Sequence, residues 1–173
     1  MARTAAGTAW LSAVLIVLLA AIGGVLITGD PTVGPYALLR QPEWAPTLTG
    51  WMTVAAVYYV AVLFIVARLL QRMNEPGATL ALSLVLLVLI GNEIWNVTLF
   101  QFGRPDLAFY ALFPFGGLVL AAAVAAGRVD LVSSMIMAAY LGWVGFDMVW
   151  TRELMELNGP PGQPLSARGV APP

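Results

Sequence analysis

Apolar positions in this chain are gathered into five blocks of about twenty residues, parted by short polar or turn-forming breaks. The blocks cover 9–28, 48–70, 78–102, 105–126 and 129–157. A helix rises ~1.5 Å per residue, so roughly 20 apolar residues cross a hydrocarbon layer ~30 Å thick. With no water to satisfy the backbone there, a spanning segment of this length forms a helix. The first block follows Arg3 but is longer than the ~7–15 apolar residues of a signal peptide, so it reads as a retained helix. Gly103-Arg104-Pro105 and Gly127-Arg128 leave very short connections, which makes the last three helices antiparallel neighbours. The predicted fold is an all-α integral membrane protein, a five-transmembrane-helix bundle forming one domain over 1–158. Residues 29–47, broken by Asp30, Pro31, Gly34 and Pro35, form a long loop of the kind that serves as a lid. Residues 159–173 are rich in Pro, Gly and Ser and are expected to be a disordered tail.

Composition narrows the function classes. Hydrophobic residues make up 60% and charged residues 10% of the chain, against roughly 25% charged in a soluble domain. A net charge of -1 without a basic cluster excludes nucleic acid as a partner. The absence of Cys and His removes disulfides, thiol nucleophiles, imidazole acid-base chemistry and ordinary zinc sites. No catalytic or metal-ligating set is therefore expected. Arg3, Arg68, Arg72 and Arg128 fall on one side and Arg40, Arg104, Arg152 and Arg168 on the other, so the positive-inside rule selects no orientation.

Polar residues inside the apolar blocks carry the remaining information, because such groups face the bundle interior. In the third helix these are Asn92, Glu93 and Asn96, with Trp95 beside them. In the fifth, Tyr140, Trp143, Asp147 and Trp150 follow one another at spacings of three, four and three and share a face. Trp51 with Tyr58 or Tyr59 makes a third such face in the second helix. Each has a purely structural alternative. Trp10, Trp44, Trp51 and Trp150 near helix ends would serve as interface anchors, and Asn92 and Asn96 as interhelical glue. Gly117, Ala121 and Ala125 read as a packing stripe. Arg104 reads as capping a helix end. Asp147 fits least well, since an acid among aromatics must be paired, protonated or hydrated.

With those residues in view, the chain resembles the TspO/MBR family (tryptophan-rich sensory and translocator proteins) from about Tyr36 to Trp150. The family's loop pattern of a Tyr, then Lys-Pro-x-Trp-x-Pro-Pro and an aromatic, is matched by Tyr36, Gln41-Pro42-Glu43-Trp44-Ala45-Pro46 and Tyr59. Its third-helix pattern is matched by Asn92, Trp95, Phe100 and Arg104, and its fifth-helix pattern by Ala139-Tyr140-Leu141-Gly142-Trp143. Departures are Thr47 for the second Pro of the pair, Ala55 for a pocket Trp, Ala139 for a Pro, Trp150-Thr151 for Leu-Asn, and Asp147 at a normally small position. Trp51, one turn before Ala55, is placed to refill that space. No cholesterol-recognition segment precedes Arg152. The resemblance implies a pocket under the first loop for porphyrins, sterols or drug-like aromatics, a homodimer, and a bacterial cell membrane as the setting.

These readings converge on a membrane receptor or binding protein for a hydrophobic, planar ligand such as a tetrapyrrole or sterol. Tyr36, Trp44 and Pro46 would form the lid. Trp51, Tyr59, Asn92, Trp95, Trp143 and Asp147 would line the pocket, with Asn92 and Asp147 fixing the ligand's polar edge. No cofactor is required, and a bound tetrapyrrole would be metal-free, since strong axial ligands for iron are missing. A small proton-coupled transporter using Asp147 and Glu93 is the alternative. Breakdown of a bound porphyrin rests on the resemblance alone.

Overall fold

A computed structural model describes residues 2–159; the expected tail beyond Gly159 lies outside them. Five α-helices follow in order: α1 (Ala2–Thr28), α2 (Leu48–Leu70), α3 (Ala78–Asn96), α4 (Pro105–Gly127) and α5 (Leu131–Asn158). All five are long and apolar enough to cross a membrane, and no strand occurs among the described residues. The protein is an all-helical, multi-pass integral membrane protein.

Local chemistry explains where the boundaries depart from the sequence reading. α1 begins well before residue 9, because the small residues that precede the apolar block carry no helix stop. α5 starts at Leu131 rather than 129, since the Asp130 carboxylate accepts the Ser133 amide at 3.0 Å and caps the helix. The third block is not one uniform helix to residue 102. After Asn96 it widens into a π-helical turn, Val97–Gln101, where the Phe102 amide reaches back five residues to the Val97 carbonyl at 3.1 Å. The loop 29–47 contains a 3-10 turn, Pro35–Leu38.

α4 and α5 share the widest interface, followed by α3 with α4 and α1 with α2. In lipid, helices associate through close packing rather than through a hydrophobic drive. On α4 the packing stripe keeps one of the three expected residues. Gly117 and Ala121 are exposed, while Ala125 is buried together with Ala108, Leu112, Gly116, Val119, Ala122 and Ala126. The buried set follows Leu112 and Val119, two turns apart, and Gly116 lies between them on the same face; Gly117 is turned ~100° away.

At the end away from the loop, α2 is fastened to α5 by charge. The Arg68 guanidinium donates to both Asp130 oxygens at 2.7 Å, Arg72 approaches at 3.2 Å, and the Ser133 hydroxyl donates at 2.6 Å. The Arg68 bonds hold the Asp130 carboxyl well below the usual carboxylate range, more than offsetting its burial.

Candidate functional site: an aromatic cluster beneath the first loop

The loop is held over the opposite end of the bundle at several points. Gly103, at φ +58°, brings the α3–α4 turn so close to Pro35 that a Cβ on it would lie 2.7 Å from that ring. Tyr36 then sets its ring edge-on to Phe100, 4.7 Å between centroids, and 6.4 Å from Trp150. Burial, partly opposed by a hydrogen bond with Gln41, pushes the Tyr36 phenol up to about 12, so it stays a protonated donor at neutral pH. Asn158, the last residue of α5, clamps the backbone of Arg40: the Arg40 amide donates to Oδ1 at 2.9 Å, and Nδ2 donates to the Arg40 carbonyl at 3.0 Å. The Trp44 indole donates to Glu153 at 2.7 Å and its ring meets Phe146 at 5.7 Å. Thr47, standing where the resemblance expects proline, uses its hydroxyl to cap α2, accepting from the Gly50 amide at 3.2 Å. Pro46 packs beside Gly50 at the same corner.

Beneath the loop lies a cluster of indoles with Trp150 at its hub. Trp150 is fully buried, 4.3 Å from Trp51 and 6.4 Å from Trp95. It is therefore no interface anchor, whereas Trp10 and Trp44 remain 40% and 45% exposed. Trp51 also meets Trp143 at 6.0 Å, and Trp143 meets Phe146 at 4.7 Å. The rings close on one another, so a planar guest would enter by parting them. Trp95 has its indole N–H committed to the Ala108 carbonyl at 3.1 Å, which makes it a wall rather than a polar contact. Trp51 Nε1, Trp150 Nε1 and Asp147 Oδ1 are buried and find no hydrogen-bond partner among the described residues. Native interiors leave few such groups, each costing about 1–3 kcal/mol.

A second polar cluster occupies the middle of the bundle. The Tyr140 hydroxyl donates to Asn92 Oδ1 at 2.9 Å, Asn92 Nδ2 donates to Glu93 Oε1 at 3.4 Å, and the Tyr59 hydroxyl donates to that same oxygen at 2.7 Å. Tyr58 stacks on Tyr140 at 4.9 Å. Both ends of the Asn92 amide thus serve Tyr140 and Glu93, the interhelical bonding that is its structural alternative, and a ligand edge would compete with these bonds. Of the expected site residues, Tyr36, Trp51, Trp95, Trp143 and Asp147 belong to the aromatic cluster. Tyr59 and Asn92 belong to the Glu93 cluster, and Trp44 and Pro46 hold the loop against α5 and the start of α2. The sequence reading gave Trp150 no place in the pocket, although its spacing from Trp143 and Asp147 carried the signal. Asn158 and Glu153 offered no signal beyond polarity near a helix end. Among the described residues no cluster of acids could hold a metal ion.

Comparison with known proteins agrees with this architecture. The family model described as TspO/MBR family matches residues 12–156. No curated protein matches the chain.

Proposed function

The chain belongs to the TspO/MBR family, and on that premise we propose that it binds a hydrophobic, planar ligand in a chamber that opens between the indoles under the loop, as a sensor or carrier. Family membership supports a membrane sensory or binding protein in general, and the single observation that carries the finer reading is the trio of unpartnered polar atoms on the aromatic cluster. Two indole donors, Trp51 Nε1 and Trp150 Nε1, suit a carbonyl or carboxylate edge, and Asp147 Oδ1 offers an acceptor beside them. Flat rings would supply the stacking area. A metal-free tetrapyrrole or a sterol-like lipid has this combination of faces and edge, and without His or Cys the chain lacks the commonest axial ligands for iron.

Titration of the purified protein with protoporphyrin IX, followed by quenching of tryptophan fluorescence, tests this. Trp51→Phe keeps an aromatic, though smaller, ring and removes the donor, and Asp147→Asn keeps the shape and removes the acid. Each should weaken binding by about 2- to 12-fold, the scale of one net hydrogen bond of ~0.5–1.5 kcal/mol. Unaltered dissociation constants in both would sink the chamber as the site.

The Tyr140–Asn92–Glu93 chain favours a second reading, proton-coupled transport in which Glu93 and Asp147 exchange protons. Concentrative uptake into proteoliposomes driven by an imposed pH gradient would support it. Saturable binding without flux would leave the receptor reading.

A further inference from the structure

On the outer wall of the bundle, α1 and α3 diverge to leave a groove of about 700 Å³, within the ~300–1,000 Å³ range of small-molecule sites. Its walls are apolar, among them Ile16, Ala20, Leu86 and Leu89, and Glu93 is the one titratable residue that lines it. Its rim residues Leu19, Ile27, Ile94 and Phe102 are 71%, 61%, 63% and 62% exposed, so it opens toward the acyl chains. Two adjacent glycines of α1 shape it. A Cβ on Gly24 would collide with the Glu93 carboxyl as it is placed, so glycine gives α1 its close approach there, while a Cβ on Gly23 would meet nothing within 4 Å. The helix thus touches Glu93 at one residue and leaves room at the next.

Glu93 is incompletely satisfied at this spot. Oε1 accepts from Tyr59 and Asn92, whereas Oε2 is buried without a partner. All eight basic residues of the chain are Arg, and those whose pairs are defined sit at helix ends: Arg68 and Arg72 on Asp130, Arg104 on Asp106, Arg152 on Glu156. A carboxylate at membrane depth calls for a cation or a strong donor, and none of those pairs supplies one. A donor entering the groove from lipid would supply one. Oε2 lies against Gly24, and turning it toward the groove swings Oε1 as well, so an arriving head group must compensate the Tyr59 and Asn92 bonds it loosens.

We propose that the α1–α3 groove is a second, lipid-accessible site that takes a membrane-partitioned amphiphile with a protonated amine head, the head on Glu93 and the apolar body along Ile16, Ala20, Leu86 and Leu89. The site is separate from the chamber and does not depend on it.

The test uses the full chain in phosphatidylcholine nanodiscs, with sphinganine as the amine probe, N-acetylsphinganine as its uncharged counterpart, and native mass spectrometry as the readout. Sphinganine should bind saturably and at least ~10-fold more tightly than the amide, a gap of ~1.4 kcal/mol. Glu93→Gln, which keeps the acceptor for Tyr59, should lose that preference. Gly23→Leu fills open space rather than the Glu93 contact; it should abolish amine binding and leave protoporphyrin titration unchanged, which separates this site from the chamber. Equal binding of amine and amide, or full binding by Gly23→Leu, would overturn the proposal. So would a change of oligomeric state in Gly23→Leu with amine binding retained, since the occupant would then be a second copy of the chain.

Discussion

At the end of the bundle away from the loop, Asp130 collects Arg68, Arg72 and Ser133 in one compact set of hydrogen bonds. Under the loop, Trp51, Trp150 and Asp147 bury polar atoms that meet nothing. One chain has thus solved the same problem fully at one end and left it open at the other. Burying an unpaired polar group costs about 1–3 kcal/mol, so three together make a locally unfavourable arrangement that the stacked rings must hold in place. Folds tend to break their own rules where they work, and the contrast supports placing stability at the Asp130 end and, as proposed, recognition at the loop end.

The largest effect is expected at the satisfied end. Asp130→Ala leaves two guanidinium groups without their partner and should cost ~2–4 kcal/mol of stability, read as a fall in melting temperature in detergent, with protoporphyrin affinity unchanged. The same carboxylate gives a pH dependence. Its folded pKa lies below the unfolded value of ~3.9, so its contribution is complete above that pH and is lost as pH falls through the folded value. The native protein should lose melting temperature on acidification below about pH 4, where the unfolded carboxyl begins to bind its proton, and Asp130→Ala should lose less. A melting curve unmoved by the substitution would break the comparison at its stable end.

At the open end the roles should reverse. Trp143→Ala removes a ring that faces both Trp51 and Phe146 and should weaken protoporphyrin binding by ~1–3 kcal/mol while the protein remains folded. An unchanged dissociation constant in the folded variant would remove Trp143 from the site. The smallest effect concerns the loop's fastening. Asn158→Ala removes both hydrogen bonds to Arg40 and should accelerate ligand release by ~5- to 10-fold in stopped-flow dilution, roughly one net hydrogen bond in free energy. Equal release rates would show that the loop does not gate the chamber.

How much of this was legible beforehand follows from the range of the interactions involved. The five spans could be read because crossing a bilayer fixes both length and apolarity, properties of contiguous sequence. The indole face of α5 could be read because helical spacing places Trp143, Asp147 and Trp150 together. The face that α4 buries could not, since small residues surround much of that helix and its partners decide among them. The π turn at Val97–Gln101 was hidden as well, because its composition does not differ from the α-helix before it. Asn92 was assigned to the ligand because its partner Tyr140 lies 48 residues away, and the Asn158 clamp joins positions 118 residues apart. Polarity in an apolar block signals that a partner exists, but gives no indication of which one.

The Asn158 clamp grips peptide groups, not a side chain, and that choice sets which substitutions the loop will tolerate. The two bonds of the clamp run to the backbone of residue 40 and survive a change of side chain there, whereas proline would delete the donor. Position 158 has no such latitude. Aspartate there would lose the donor to the Arg40 carbonyl, and glutamine would carry the amide one methylene too far. The clamp on the loop is therefore written in the side chain at the end of α5 and not in the side chain at position 40.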